Sequence, residues 1–356
     1  MYNKKKILLL GGTGAMGAYL VELLSQRDDV LCYVTSRSSR SDLANIKYLQ
    51  GNAQDSTFLH KILDMHPWDC VVDFMVYSTE QFRERANLLL QSTKQYIFIS
   101  SARVYADSDG QLTEESPRLL DVCTDHEYLS TDEYALTKAR QEDILINSTF
   151  RNWTILRPSK TYGSLRIQLG SQEKEIWLYD ALHDRSVTIP KDVIDKYVTF
   201  SSGMDAAKCI EKAIDCNLTL GEIYNITGDL QCTWREVLGL YIGVFKSFNK
   251  NLKVKILDKW EPWQGGSYYQ VKYSTALNRK VCNNKIKTLF PDLVFDDGKE
   301  DLKRILSDFI QCPKFGIVGQ YRIIETARYL REFPSFKEIT SLKKKIKLLL
   351  IKLNII

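Results

Sequence analysis

Two ionisable side chains near the middle of the sequence have the spacing of a proton-transfer pair. Tyr134 and Lys138 stand four residues apart in a segment whose helical pattern continues to about Asn147, so the phenol and the ammonium share one helix face. A free tyrosine has a pKa of about 10, too high for a base at neutral pH, but a neighbouring cation favours the phenolate. Ser101, at the end of an earlier apolar strand, would donate a hydrogen bond to a substrate oxygen. Because Tyr-x-x-x-Lys is common on ordinary helices, the pair predicts catalysis only together with the features below.

The start of the chain carries a glycine turn between a strand and a helix. Four apolar residues predict a buried parallel strand, glycines follow at positions i, i+3 and i+6, and a helical pattern comes next. In this context Gly11 allows the tight turn, Gly14 lets a pyrophosphate approach the backbone, and Gly17 lets helix and strand pack closely. The helix start offers N–H groups and a positive dipole end to the phosphates. Glycine triplets also occur in plain loops, but here we predict a dinucleotide site with contacts from Gly11, Gly14, Ala15, Met16 and Gly17.

The end of the second predicted strand indicates which dinucleotide is favoured. An enzyme that uses NAD usually places Asp or Glu there for the ribose hydroxyl. This strand instead ends in Ser36 and Arg37, and no acid comes before Asp42. Ser36 and Arg37 are donors suited to a 2′-phosphate. We therefore predict NADP as the cofactor, with NAD as the alternative and a solvated polar loop as the purely structural explanation.

Strands and helices alternate through the first half of the chain. This spacing predicts an α/β fold with a doubly wound parallel sheet of the Rossmann type, with ligands at the carboxyl ends of its strands. After about residue 160 the pattern becomes less regular. We predict a cofactor-binding core at 1–160, a smaller substrate lobe with the last core strand and helices at 161–311, and an additional tail at 312–356.

Composition narrows the class of protein. A chain of 356 residues with 44% hydrophobic content can bury a substantial core. Its formal charge is +5, and residues 337–356 alone carry six Lys and one Glu, so the rest of the chain is about neutral and nucleic acid is not an expected partner. Eight scattered cysteines without a Cys-x-x-Cys motif, and no signal peptide, predict reduced thiols in the cytoplasm. The four histidines lack ligand spacing, so we predict no metal site.

The basic, apolar C-terminal tail has two interpretations. The segment 339–356 has the composition of an amphipathic helix that lies on an anionic membrane surface, which would place the protein at the inner face of the membrane. The same segment is also compatible with a terminal helix packed on its own domain or on a second subunit. We expect a homodimer.

An ordered set of motifs resembles the extended short-chain dehydrogenase/reductase superfamily, in its nucleotide-sugar epimerase/dehydratase branch. The resemblance covers roughly residues 4 to 310 and is carried by the glycine turn, Ser100-Ser101-Ala102-Arg103-Val104-Tyr105, Tyr134-x-x-x-Lys138, Ile155-Leu156-Arg157-Pro158, Tyr224-Asn225-Ile226-Thr227-Gly228 and Asn283-Asn284-Lys285-Ile286. It implies that Tyr134 is the catalytic acid/base, that Lys138 tunes it and holds the nicotinamide ribose, and that Ser101 orients the reacting oxygen. Substrate contacts are then expected from Ser101, Tyr105 and Lys160.

Four positions depart from the family pattern. Ala102 and Arg103 occupy the places where the dehydratases carry acids, which argues against a 4,6-dehydratase. Lys160 stands where the family often has an Asn that touches the substrate; a lysine there would pair with a diphosphate. Asn52 replaces the usual Asp near the adenine, where we expect a cofactor contact. The implied activity is an NAD(P)-dependent epimerase or keto-reductase acting on a nucleotide-activated sugar, in surface polysaccharide biosynthesis.

A second resemblance supports a different class of function. The segments Trp153-Thr154-Ile155-Leu156-Arg157-Pro158 and Gly221-Glu222-Ile223-Tyr224-Asn225-Ile226 are similar to the chloroplast stem-loop RNA-binding proteins, an offshoot without catalysis. The alternative is therefore a non-catalytic Rossmann protein that binds RNA or has a regulatory role. The complete Ser101, Tyr134 and Lys138 set and the absence of a basic excess in the main body favour the enzyme.

Overall fold

The centre of the protein is a parallel sheet whose strand order reverses beside its first strand. The computed structural model describes residues 4–355. Within that range the main sheet has seven strands in the order β10-β6-β5-β4-β1-β2-β3, and every neighbouring pair is parallel. The reversal between β1 and β4 forms the crevice where doubly wound sheets bind ligands. The predicted doubly wound parallel sheet is confirmed.

The elements have the following bounds. The strands are β1 (Lys5–Leu10), β2 (Val30–Ser36), β3 (Ile46–Gln50), β4 (Trp68–Asp73), β5 (Thr93–Ile99), β6 (Trp153–Pro158), β7 (Lys160–Tyr162), β8 (Val187–Pro190), β9 (Tyr197–Ser202), β10 (Glu222–Ile226), β11 (Gln231–Thr233) and β12 (Val254–Leu257). The helices are α1 (Gly17–Ser25), α2 (Ser56–Leu63), α3 (Thr79–Gln91), α4 (Leu119–Val122), α5 (His126–Leu129), α6 (Tyr134–Ile146), α7 (Trp177–Leu182), α8 (Lys191–Ile194), α9 (Gly203–Ala213), α10 (Trp234–Ser247), α11 (Tyr268–Gln270), α12 (Asn284–Leu289), α13 (Gly298–Gln311), α14 (Gln320–Leu330) and α15 (Leu342–Lys352).

The central strand β1 is buried on both faces. Ile7 and Leu9 belong to the core beneath α1 and α9, whereas Leu8 and Leu10 belong to the core beneath α2, α3 and α6. All four side chains are fully inaccessible to solvent. Burial of each contributes about 1.5–3 kcal/mol, so an unbroken apolar run is what this position in the sheet requires.

The chain divides into two compact units that alternate along the sequence. The first comprises residues 1–162, 199–231 and 279–298, and the second comprises 163–198, 232–278 and 299–356. The first unit holds the main sheet because β10 and α9 return to it after the irregular segment. The tail from residue 312 groups with the second unit.

The second unit carries the C-terminal helices. Its small sheet pairs β8 with β12 in parallel, and α14 packs against α15 around a separate apolar cluster. Among residues 4–355 there is no helix long and apolar enough to cross a membrane.

Candidate active site

The glycine turn after β1 is shaped by close approaches of the backbone. Gly11 has a φ of +73°, which favours glycine, and its N–H donates to Thr35 Oγ1 at 2.8 Å. A Cβ on Gly17 would lie 2.6 Å from the backbone of Gly12, so only glycine lets α1 start this close to the turn. A Cβ on Gly14, in contrast, would meet no heavy atom within 4 Å. The turn is therefore rigid on its inner side and open at Gly14.

The open side of the turn faces the start of α1. Met16 is the N-cap residue and makes no side-chain cap hydrogen bond, and the Ala18 N–H donates to the Gly14 carbonyl at 3.0 Å. The start of a helix is also the positive end of its dipole, which attracts anions. Gly11, Gly14, Ala15, Met16 and Gly17 thus form a cradle that fits a dinucleotide diphosphate.

The end of β2 supplies the residues that were predicted to meet the ribose. The Ser36 hydroxyl is buried and donates to the Ser38 carbonyl at 2.8 Å, which ties it into its own loop. Arg37 is exposed, and the Arg40 guanidinium lies 5.8 Å from the ring centroid of Tyr48. Asn52, also exposed, accepts the Gln54 N–H at 3.1 Å. The fold thus places cationic side chains at this strand end, where NAD-binding sheets usually carry an acid.

Lys138 lies inside the protein beneath the first turn of α6. Its side chain is only 3% exposed, and Nζ donates to the carbonyl of Ile99, the last residue of β5, at 2.8 Å. Burial lowers the pKa of Lys138 to about 8, while the carboxylates of Asp73 and Glu142 act in the opposite direction. The hydrogen bond fixes α6 to the strand end that leads to Ser101.

Tyr134 is the first residue of α6 and lies against Arg103. The Arg103 guanidinium is 5.0 Å from the centroid of the Tyr134 ring and forms an ion pair with Glu133, the N-cap residue of α6. Glu133 also accepts the Ala135 N–H at 2.8 Å, so the pair holds the helix start in place. A cation over the ring favours negative charge on the phenol oxygen.

Ser101 follows β5 by two residues and begins a short 3₁₀ turn. Its Oγ accepts the Arg103 N–H at 3.2 Å, and the side chain is buried. Because Arg103 reaches Tyr134 and Lys138 reaches Ile99, the segments that carry Ser101, Tyr134 and Lys138 meet at the carboxyl end of β5. The structure therefore brings the three predicted catalytic residues into one region of the first unit.

A buried ionic network behind α6 was not predicted from the sequence. Arg157 makes two hydrogen bonds to Glu142, with Nε–Oε1 at 2.8 Å and Nη2–Oε2 at 2.7 Å, and both side chains are almost fully buried. The Ser100 hydroxyl donates to the same carboxylate at 2.5 Å. Glu142 follows Lys138 by four residues, and that helical spacing is the sequence signal that would have pointed to it. The network joins β5, α6 and β6.

A second buried carboxyl group lies at the switch point of the sheet. Asp73 ends β4 beside Leu10 of β1, accepts the Tyr96 hydroxyl at 2.8 Å and accepts the Met75 N–H at 2.8 Å. Burial raises the pKa of Asp73. The negative form of Asp73 favours the charged form of Lys138, an influence that no sequence pattern indicated.

The two residues predicted to contact only substrate have different surroundings. Tyr105 is fully buried; its hydroxyl donates to Asn225 Oδ1 at 2.7 Å and accepts from Arg157 Nη1 at 2.9 Å. Burial raises the pKa of Tyr105 to about 12. These contacts make Tyr105 part of the buried network behind α6. Lys160 is half-buried at the start of β7, opposite Phe200 of β9.

A cavity of about 1090 Å³ lies within the second unit and contains none of the predicted site residues. Its lining includes Trp263, Gly265, Tyr321 and Tyr329. Trp263 packs against Tyr329 with ring centroids 5.2 Å apart, and the nearby Trp260 donates to the Gly265 carbonyl. Among residues 4–355 no cluster of three or more His, Cys, Asp or Glu side chains is arranged to hold a metal ion.

A doubly wound sheet with a glycine turn at its switch point is the architecture of a dinucleotide-binding protein. The chain belongs to the NAD-dependent epimerase/dehydratase family, whose family model matches residues 7–227, more than half of the sequence. This finding confirms the resemblance drawn from the ordered motifs.

Solved structures share the fold at low sequence identity. The dTDP-glucose 4,6-dehydratase of Bacillus anthracis, in complex with NAD, is 17% identical, with a TM-score of 0.65 over 86% of this chain and 97% of that one. The UDP-glucuronic acid 4-epimerase of Bacillus cereus, in complex with NAD, is 16% identical, with a TM-score of 0.62 over 86% and 96%. WbmH of Bordetella bronchiseptica, in complex with NAD+, is 14% identical, with a TM-score of 0.65 over 88% and 100%.

A curated relative has a different description. The chloroplast stem-loop binding protein of 41 kDa b from Arabidopsis thaliana is 27% identical over 248 residues. That match spans 65% of this chain and 61% of the relative's length.

Proposed function

We propose that the protein is an NAD(P)-dependent epimerase or keto-reductase that acts on a secondary alcohol or keto carbon of a nucleotide-activated sugar. The observation that carries this proposal is the hydrogen bond from Lys138 Nζ to the Ile99 carbonyl. This hydrogen bond joins α6, which begins with Tyr134, to the end of β5, which leads to Ser101. Both elements lie in the unit that also contains the glycine cradle. Membership of the epimerase/dehydratase family supports the same reaction class.

Each of the three side chains has a distinct part in the proposed proton transfer. When bound, the nicotinamide supplies hydride chemistry at the reacting carbon. Tyr134 moves the proton to or from the oxygen on that carbon, Ser101 donates a hydrogen bond to the same oxygen, and Lys138 stabilises the phenolate through its charge. Because burial lowers the pKa of Lys138 to about 8, this support is lost on the alkaline side of neutrality.

Arg103 favours a reaction without water elimination. At a position where the family's dehydratases carry an acid, this chain presents a guanidinium that is paired with Glu133 and lies over the Tyr134 ring. An arginine does not lose its proton at neutral pH, so it does not act there as a general acid or base. It stabilises the Tyr134 phenolate instead.

We propose NADP as the preferred dinucleotide. The support is the strand end of β2, where Arg37 is exposed and no carboxylate precedes Asp42. A 2′-phosphate would form charge-assisted hydrogen bonds with that guanidinium. NAD is the alternative.

Other expectations from the sequence also remain proposals. Lys160 is proposed to contact the substrate diphosphate, and the protein is proposed to act as a cytoplasmic homodimer in polysaccharide biosynthesis. The eight cysteines are all free thiols, which suits a reducing compartment.

Cofactor binding can be tested at Gly14, because a side chain there would occupy the open space without a clash. Gly14→Val is expected to keep the fold and to weaken NADPH binding by about tenfold or more, measured by fluorescence titration with NADH in parallel. Gly239→Val on α10 is the matched control, since a Cβ at Gly239 also meets nothing within 4 Å. Unchanged affinity in Gly14→Val, or no binding of either dinucleotide by the native protein, would contradict the proposed cradle.

A second candidate function is RNA binding without catalysis. The observation that favours it is the 27% identity to a chloroplast stem-loop binding protein. This function requires salt-dependent binding of a stem-loop RNA that persists in Tyr134→Phe, together with no reduction or epimerisation of nucleotide sugars. Turnover of a nucleotide sugar would contradict it.

A further inference from the structure

We propose that α15 is an interfacial helix through which the protein binds an anionic lipid bilayer. The proposal rests on which side chains of this helix are buried and which are exposed. It does not depend on the proposed catalytic function.

One face of α15 anchors the helix to the second unit. Leu348 and Ile351 are almost fully buried and pack with Ile323, Ile324 and Ala327 of α14. Lys347 Nζ forms an ion pair with Glu325 at 2.8 Å. The Ile351 carbonyl also accepts a hydrogen bond from the Arg331 guanidinium at 2.9 Å. This face of α15 therefore packs on the second unit. The interpretation as a terminal helix packed on its own domain is correct for this face only.

The opposite face presents an aliphatic stripe to solvent. Leu342 is 72% exposed, Ile346 51%, Leu349 43% and Leu353 60%. These positions are spaced i, i+4, i+7 and i+11, which places them in one row along the helix. Single exposed aliphatic side chains are ordinary, but four in one row indicate a surface that meets an apolar partner.

Lysines border the stripe on both sides. At about 100° per residue, Lys343 follows the stripe on one side, and Lys345 and Lys352 lie on the other. Leu348 and Ile351 fall on the far side, in agreement with their burial. An apolar stripe with cations on both sides is the pattern of a helix that lies in the headgroup region of a membrane.

The charge distribution on α15 favours a lipid surface over a second copy of the chain or an RNA. Residues 342–352 contain no Asp or Glu, so two copies that met through this stripe would bring lysines against lysines. RNA would neutralise the lysines but leave the aliphatic row in water. A bilayer with anionic headgroups satisfies both features, and the net charge of +5 in the whole chain is located in this region.

Vesicle co-sedimentation of the full-length protein tests the proposal. The native protein is expected to pellet with vesicles of phosphatidylcholine and phosphatidylglycerol, and not with phosphatidylcholine alone. Ile346→Asn/Leu349→Asn should reduce the partition coefficient by about tenfold or more. Lys343→Gln/Lys345→Gln/Lys352→Gln should reduce it by about fivefold per lysine, and added salt should weaken binding of the native protein.

A control variant tests whether exposed aliphatic side chains outside α15 also contribute to vesicle binding. Leu165→Asn/Val294→Asn removes two exposed aliphatic residues outside α15 and should leave binding unchanged. Circular dichroism and thermal melting verify that all variants fold. Equal pelleting of the Ile346/Leu349 variant, or no pelleting of the native protein, would overturn the proposal. The proposal would also be overturned by a native dimer that dissociates in the Ile346→Asn/Leu349→Asn variant, measured by sedimentation velocity. Binding of a stem-loop RNA by a native protein that does not pellet with vesicles would overturn it as well.

Discussion

Lysine has opposite surroundings in the two units. In the first unit, Lys138 is buried, donates to the Ile99 carbonyl and lies near the carboxyl groups of Asp73 and Glu142. In the second unit, the lysines of α15 border an exposed aliphatic stripe, and Lys343 and Lys352 are themselves exposed. A buried cation needs fixed partners and therefore defines a position, whereas exposed cations act together through their field. The comparison predicts that one substitution in the first unit is enough for a large effect, whereas each lysine of α15 contributes a smaller one that adds to the others.

The largest effect on stability is expected at the buried carboxylate. Glu142→Gln leaves the Arg157 guanidinium without its buried counter-ion, so the free energy of unfolding should fall by about 3–5 kcal/mol. Urea denaturation measures this change. Glu325→Gln, which breaks the partly exposed pair with Lys347, is the control and should cost about 1 kcal/mol or less. Equal losses in the two variants would remove the distinction between the units.

The buried lysine should also make stability depend on pH. The folded-state pKa of Lys138, about 8, lies below the unfolded value of 10.5, so the unfolded chain binds more protons between these values and stability rises with pH there. Native protein should therefore gain about 2 kcal/mol between pH 8 and pH 10 relative to Lys138→Met. Lys345→Met is the surface control, and its difference from the native protein should stay constant. A constant difference for Lys138→Met as well would contradict the lowered pKa.

Arg103 is expected to affect turnover without affecting stability to the same degree. Arg103→Met removes the cation over the Tyr134 ring, so turnover should fall by about tenfold and the pH at which Tyr134 loses its proton should rise. Arg103→Lys should restore part of the activity because it restores the charge. A lower rate with an unchanged pH profile would show that Arg103 only holds Glu133 at the helix start.

The smallest effect is expected at the exposed end of β2. Arg37→Ala should raise the KM for NADPH by about fivefold and leave the KM for NADH unchanged, because only the 2′-phosphate would meet this side chain. Steady-state kinetics with NADPH and with NADH measure the two KM values and their ratio. Equal changes in the KM values for NADPH and NADH would contradict the proposed NADP preference.

Local patterns were sufficient to predict the sheet and the cofactor turn. The apolar run of β1, the glycine spacing and the alternation of strands and helices depend on neighbouring residues, and the structure has these elements where they were expected.

Contacts between distant residues could not be predicted in this way. The family resemblance implied that Tyr105 contacts the substrate, but no local pattern indicated that its hydroxyl donates to Asn225, far away in the sequence. The pairing of Glu142 with Arg157 and the position of Asp73 beside β1 depend on the packed sheet in the same way. The exposed stripe of α15 was visible as composition, but which face is buried is determined by α14.

The central claim, that Tyr134 transfers the proton at the end of β5, is tested most directly by Tyr134→Phe. With a nucleotide sugar that the native protein converts, turnover in Tyr134→Phe should fall by about a thousandfold while the cofactor still binds. Tyr33→Phe on β2, which removes a hydroxyl that forms a hydrogen bond with His66, should keep native turnover. Full activity of Tyr134→Phe would contradict the account.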